Sequence, residues 1–392
     1  MKVALVHDYI KEYGGAERVL EALTEIYPDA PIYTAFYQKG QAWEVFKNCD
    51  IRVSWAHYIP FFSTLFHSPL RFLAPLIWDS FDFSQYDVII SSASWFVTKG
   101  FGTRGTNRKK PIEICYCHTP PRYLYGYQTS INSNFLPVKI YAHLVNHFMR
   151  LYDFSASQKV NYFIANSYEV SKRIKKFYRR DSTVIYPPVE LPQFKIQNSK
   201  IKNTNQSSKI DSYYLVVSRI VGGKGLELAV EAANKLKVPL KIVGSPAGYS
   251  NVYGKLYKKA GPTVEFLGFV SDEKLAQLYA GAKAFLALSQ DEDFGITPVE
   301  AMSAGTPVIA YRSGGFQETV IDPSASSGQA ATGIFFDELT VESLVKAIKS
   351  FDKLRINAED CIRQAQKFSK ERFKREIREF VSKITYGKKE KE

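Results

Sequence analysis

The chain has 392 residues, too many for one ordinary α/β core and enough for two domains. Its 45% hydrophobic and 23% charged content excludes a disordered or fibrous chain, and a formal net charge of +13 points to anionic partners: phosphate-bearing ligands, an anionic membrane face or nucleic acid. Cys115 and Cys117 lie beside His118, but no second zinc-spaced pair accompanies them, so the cysteines read as reduced thiols, not as a metal centre.

In chain order, KVALVH (2–7) is a short apolar run followed by a glycine-bearing loop and an amphipathic helix, AERVLEALTEIY (16–27). A buried strand, a glycine turn and a helix form the first unit of a doubly wound parallel sheet. His7-Asp8 breaks this run too early for a secretion signal, and no stretch approaches the ~18 uninterrupted apolar residues of a membrane span. The expected location is cytoplasmic, with peripheral contact on the inner face of the cell membrane as a further reading. Residues 55–83 are dense in aromatics and are broken by Pro60, Pro69 and Pro75. They read either as a helical insert packed on the core or as a surface that meets lipid or a lipid-linked acceptor. The basic clusters Arg108-Lys109-Lys110 and Lys172, Arg173, Lys175, Lys176, Arg179, Arg180 suit an anionic membrane or a solvated helix face.

IEICYC (112–117) is a strand that delivers His118, and Pro187-Pro188 ends a strand at VIY. The polar stretch 195–212 reads as a linker, and YYLVVSR (213–219) then restarts the pattern of strand, glycine loop and helix (226–236). Further strands are expected at 240–244, 263–268, 284–288 and 307–311. One helical region is expected over 340–384, ending in a frayed charged tail. The predicted division is an N-terminal domain 1–190, a linker 191–211, a second domain 212–370, and a C-terminal segment 371–392 positioned to pack back on the first domain.

Two constellations carry chemistry. In EDFGITPVEAMSAGTPVIA (292–310), Glu292 follows a buried strand in an acidic loop, and ligands of open α/β sheets bind at that strand edge. The amides of Phe294, Gly295 and Ile296 lead into a helix N-terminus, which favours anions. The same helix is expected to be capped by Thr297, with Glu300 completing a capping box. In SRIVGGKGLELAVEA (218–232), Arg219 and Lys224 flank Gly222-Gly223 and can both reach one point at a strand end. Two cations there can neutralise a leaving diphosphate as a divalent ion does elsewhere.

Together these motifs resemble the GT4 family of retaining glycosyltransferases. The shared features are Glu292 and Glu300 at the family's spacing, Phe294-Gly295, the run from Glu300 to Val308, and Arg219 with Lys224. The resemblance implies an α/β, GT-B fold, with two Rossmann-like doubly wound domains facing a central cleft. It assigns Arg219, Lys224, Gly14 and Gly15 to the donor phosphates and Glu300 to the ribose. Phe294, Gly295 and Ile296 fall to the donor sugar, and Glu292 and His118 to the catalytic centre. Arg122 and Tyr123 are assigned to the acceptor side. A lone histidine is otherwise as readily structural. Gly314-Gly315 with Glu318 resembles the family's next loop, although its plain reading is a turn before a helix.

More narrowly, HDY with Gly-Gly-Ala-Glu-Arg, PDAPIYT (28–34) and YCHTPPRYLY (116–125) are similar to bacterial mannosyltransferases of O-antigen and other surface polysaccharides. This implies transfer of mannose from GDP-mannose to a glycan or polyprenyl-linked saccharide, with no cofactor and no metal. Alternative expectations are a UDP-sugar enzyme of the same fold, such as a glucosyltransferase or epimerase, and a non-enzymatic nucleic-acid binder. The last lacks any recognised nucleic-acid motif.

Overall fold

The computed structural model describes residues 1–102, 110–127, 135–190, 212–246, 252–323 and 330–386. The expected linker at 191–211, and Arg108 and Lys109, lie outside them. The chain is α/β and divides into two compact units. Of the described residues, one takes in 1–127 and 135–188 and resumes at Lys370; the other runs from Val189 to Ser369.

The first unit is built on seven parallel strands: β1 (Val3–His7), β2 (Ile32–Thr34), β3 (Ile51–Val53), β4 (Val88–Ala93), β5 (Ile112–Cys117), β6 (Tyr162–Ala165) and β7 (Ser182–Val184). Their spatial order is β3-β2-β1-β4-β5-β6-β7. The central strands β1, β4 and β5 are buried along almost their whole length, as expected of a parallel sheet covered on both faces. Helices α1 (Gly15–Ile26), α2 (Gln41–Phe46), α3 (Ala74–Asp79), α4 (Leu136–Lys159) and α5 (Tyr168–Tyr178) connect them. The aromatic segment 55–83 folds as short pieces: 3₁₀ turns at Trp55–Tyr58 and Arg71–Leu73, a π-helical turn at Phe62–Phe66, and α3. Phe62, Ile77, Trp78 and Phe83 enter the core, whereas Tyr58, Phe61, Leu65 and Leu76 stay exposed.

The second unit has six parallel strands: β8 (Tyr213–Val217), β9 (Leu240–Val243), β10 (Val264–Gly268), β11 (Ala282–Ala287), β12 (Val308–Tyr311) and β13 (Gly333–Phe336). Their order is β10-β9-β8-β11-β12-β13, so the strand order reverses direction between β8 and β11. Helices α6 (Leu226–Leu236), α7 (Val252–Lys259), α8 (Asp272–Gly281), α9 (Ile296–Ser303), α10 (Phe316–Thr319), α11 (Val341–Phe351) and α12 (Ala358–Gln366) complete it.

The helical region expected over 340–384 is three helices, α11, α12 and then α13 (Lys370–Tyr386). The chain turns after Asp352, and the Asn357 side chain accepts the amide of Glu359 at 3.0 Å, which starts α12 afresh. Helix α13 belongs to the first unit. Phe373, Ile377 and Val381, spaced four apart, share a core with Val19, Leu20 and Leu23 of α1. Lys370 and Lys374 meet Glu25 of α1 at 2.5 and 2.9 Å. Partial burial pushes the Glu25 carboxyl upward, but the two ammonium groups outweigh it and hold the pKa below its ordinary value.

The basic cluster on α5 is not a uniform solvated face. The Arg173 side chain is buried: its guanidinium donates to Thr119 Oγ1 at 3.2 Å and to Glu169 at 3.3 Å, and lies over the Tyr127 ring. Arg180 donates to the carbonyls of Ser157, Gln158, Val160 and Asn161. A planar fork of donors can satisfy several acceptors at once, so a charge run in sequence became structural glue.

Candidate functional site

In the second unit the loops after β8 and β11 emerge side by side where the strand order reverses, the position at which open parallel sheets bind ligands. The β8 loop carries Arg219 and Lys224. Gly223 and Gly225 adopt φ of 81° and 70°, and Gly225 starts α6. The β11 loop carries Glu292. Lys224 Nζ donates to Glu292 Oε2 at 2.8 Å, with both side chains about a quarter exposed. The two residues expected to divide phosphate and sugar between them are therefore ion-paired to each other.

Thr297 does not cap α9. Gly295, at φ 89° in the left-handed region, occupies the cap position and the helix begins at Ile296. This places Thr297 and Pro298 inside the first turn, and Glu300 beyond reach of a capping box. Instead Glu300, only 7% exposed, accepts a hydrogen bond from Tyr279 Oη at 2.8 Å. Tyr279, on α8, has no signal in the 292–310 motif. Phe294 is buried and packs edge-on against Phe368, with ring centroids 5.4 Å apart. The Gly314-Gly315 turn supports Glu292 from behind: the Gly315 amide donates to the Glu292 carbonyl at 2.9 Å, and Ser313 Oγ donates to the Gln290 carbonyl.

In the first unit the residues at the ends of β1, β4 and β5 form one buried polar chain. Ser92 Oγ lies 2.8 Å from His118 Nε2 and 3.0 Å from His7 Nδ1. His7 Nε2 is 3.5 Å from Glu17 Oε1, and Glu17 Oε2 accepts the amide of Gly14 at 2.9 Å. The Gly14 amide, expected to face an anion, is thus held by a side chain of its own helix. Asp8, the next residue after β1, accepts the amides of Ser94, Trp95 and Phe96, at 3.2, 2.5 and 3.1 Å, and the Thr98 hydroxyl. These bonds hold a turn in which Val97 adopts φ 55°, rare for a β-branched residue. No motif marks His7, Asp8, Glu17 or Ser92 as site residues: His7, Asp8 and Ser92 stand at or near strand ends and Glu17 in the first turn of α1, and only the sheet order brings β1, β4 and β5 together.

Arg122 opens a 3₁₀ turn, and its carbonyl accepts the amides of Tyr125 and Tyr127, both at 3.2 Å. Tyr123 packs on Trp95 and under the Arg71 guanidinium, and its carbonyl accepts from Asn146 of α4.

Burial, reinforced by the charge of His7, pulls the His118 pKa down to about 3. The ring is therefore neutral at physiological pH. As pH falls below 6.5 the unfolded chain takes up a proton that folded His118 refuses until about pH 3, so stability drops through that window. His67, pulled down to about 4 chiefly by burial, adds in the same direction. Thermal melts of His118→Gln should show a shallower acid slope than the parent; an unchanged slope would contradict the low pKa.

Residues 197–368 match the family Glycosyl transferases group 1, so both loops of the second unit lie within that domain. Over 160 residues the chain is 33% identical to the glycogen synthase of Rhodopseudomonas palustris, covering 38% of this chain and 32% of that protein. It is 30% identical over 160 residues to the sulfoquinovosyl transferase SQD2 of Arabidopsis thaliana, covering 41% and 30%. The chain therefore spans about a third of the length of these curated relatives. Among solved structures, the sucrose-phosphate synthase of Thermosynechococcus elongatus superposes with a TM-score of 0.71 at 19% identity, covering 99% of this chain and all of that one (100%). The Anabaena HepE protein in complex with UDP-glucose superposes with a TM-score of 0.69 at 20% identity, covering 97% and 100%. The fold is GT-B, with two Rossmann-like parallel sheets.

Proposed function

We propose that the chain is a retaining glycosyltransferase that moves a hexose from a nucleoside diphosphate sugar to a hydroxyl acceptor. The observation that carries this reading is the Lys224–Glu292 pair, with Arg219 on the same loop, at the strand-order reversal of a group 1 domain. Arg219 and Lys224 would neutralise the diphosphate as its bond to the sugar breaks, taking the part a divalent cation plays elsewhere. Glu292, released from Lys224, would accept the sugar hydroxyls, with the amides of Phe294, Gly295 and Ile296 beside it, and Glu300 would accept the ribose hydroxyls. The acceptor oxygen bonds to the anomeric carbon on the face the diphosphate leaves, and a diphosphate oxygen takes the acceptor's proton. To the first unit we assign neutral His118 as a donor-sugar contact, the Gly14-Gly15 loop to phosphate, and Arg122 and Tyr123 to the acceptor.

For the donor we favour GDP-mannose, on the resemblance of 7–23, 28–34 and 116–125 to polysaccharide mannosyltransferases, with a glycan or polyprenyl-linked saccharide as acceptor. A UDP-sugar is the second reading, favoured by the UDP-glucose held by the fold relative HepE. The free thiols Cys115, Cys117 and Cys361, all buried, suit a reducing cytoplasm. A thermal-shift panel separates the donors: GDP-mannose should stabilise more than GDP, and UDP compounds not at all. Stabilisation by UDP-glucose alone overturns the mannose reading, and no stabilisation by any nucleotide sugar overturns the transferase reading. A donor altered without any acceptor would indicate an epimerase.

A further inference from the structure

Helix α4 has two faces of different character. Its inner face is fully engaged: Met149, Asp153 and Ala156 are buried, Lys99 Nζ meets Asp153 Oδ1 at 2.5 Å, and Tyr125 Oη donates to the other Asp153 oxygen at 2.7 Å. Its outer face carries Leu136, Ile140, Leu144, Phe148 and Leu151, spaced by three or four residues and therefore in one stripe. Each is more than half exposed, Leu144 at 56% and Phe148 at 68%. At 1.5 Å per residue the stripe runs more than ~20 Å along the surface. Soluble proteins seldom leave so much contiguous apolar surface in water without an occupant.

The 55–83 segment meets the same helix at Pro69 and Arg71. Tyr141 donates to the Pro69 carbonyl, and Arg71 donates to Asn146 at 2.8 Å. Residues 135–152 carry formal charge of one sign only, on Lys139 and Arg150. Lys139, His143, His147 and Arg150 follow one flank of α4, and the sequence has no aspartate or glutamate between 135 and 152 or between 51 and 78. A second copy docked stripe to stripe would bring two such flanks together with no aspartate or glutamate of 135–152 to pair Lys139. An anionic surface pairs with them instead. Among the described residues no helix is long and apolar enough to cross a membrane, so such a surface would be met from outside.

We infer that the outer face of α4 docks the first unit onto an anionic lipid bilayer, the apolar stripe entering the headgroup boundary and exposed Lys139 facing the lipid charge. This inference stands independently of the donor and the reaction.

Flotation with vesicles of phosphatidylethanolamine and phosphatidylglycerol tests it. The parent chain should float with them and far less with phosphatidylcholine vesicles. The double variant Leu144→Glu/Phe148→Glu should lose binding at least about tenfold, and Lys139→Glu severalfold on the anionic vesicles only. Both substituted side chains of the double variant are solvent-exposed, so its melting temperature and its thermal shift with nucleotide sugars should match the parent's. A parent that does not float, or a double variant that floats equally, overturns the inference. So does a parent that elutes as a dimer which the double variant breaks into monomers, because a second copy would then own the face.

Discussion

Replacing Lys224 by methionine should lower kcat/KM for the nucleotide sugar by about two orders of magnitude, or about 3 kcal/mol, the usual loss when one fixed donor to developing charge is removed. Methionine keeps the length and packing of the side chain, so the effect isolates the charge. The ion pair with Glu292 is about a quarter exposed and contributes no more than about 1 kcal/mol to folding, so the melting temperature should barely move. Adding Glu292→Gln separates two roles. If Lys224 acts only by orienting Glu292, the double variant should be no worse than the more impaired single variant. If each residue contacts the donor, the losses should compound. Full turnover in Lys224→Met would remove the phosphate role altogether.

The second large effect is expected at Gly314, which touches no ligand in the proposed scheme. Its φ of 54° costs an L-residue about 1–2 kcal/mol, and a methyl group there would press into the backbone carbonyl oxygen of Glu292. Backbone cannot swing aside as a side-chain tip can, so Gly314→Ala should destabilise the second unit by about 3 kcal/mol. It should also shift Glu292 away from Lys224, so activity falls even where the variant still folds. Gly222→Ala is the control, because a methyl group there meets nothing within 4 Å and should leave the melting temperature unchanged. Equal melting of the two variants would mean that the 313–315 turn does not brace the β11 loop.

The second sheet was legible from β8 to β12, whose apolar runs stand out, and the first only at β1 and β5, while the recurrence of strand, glycine loop and helix gave the two units; β4, β6 and β13 carry no such signal. The three-residue strands β2, β3 and β7 are too short for a period to show, and β7 covers Ser182–Val184 where VIY (184–186) was expected. The break between α11 and α12 was missed because 352–357 holds neither glycine nor proline and its stop rests on the Asn357 cap. At the candidate site, motif spacing picked out Lys224 and Glu292, but not that they pair across 68 residues. Arg173 looked like one of six similar cations until the fold placed it against Thr119. The chain from His7 through Ser92 to His118 crosses three strands, and sheet order cannot be read from any one of them.

The return of α13 to α1 also sets an order on synthesis. Leu20 and Leu23 lie under Phe373, Ile377 and Val381, so the α1 face cannot be covered when its own strands leave the ribosome. All of Val189–Ser369 must be translated first, which at ~5–20 residues per second takes on the order of ten seconds or more. The stretch Val189–Ser369 can close within that interval; the first unit waits for a helix made only after it. A nascent chain halted before Lys370 would therefore display a bare α1 surface, which makes that surface a natural place for a chaperone to hold on.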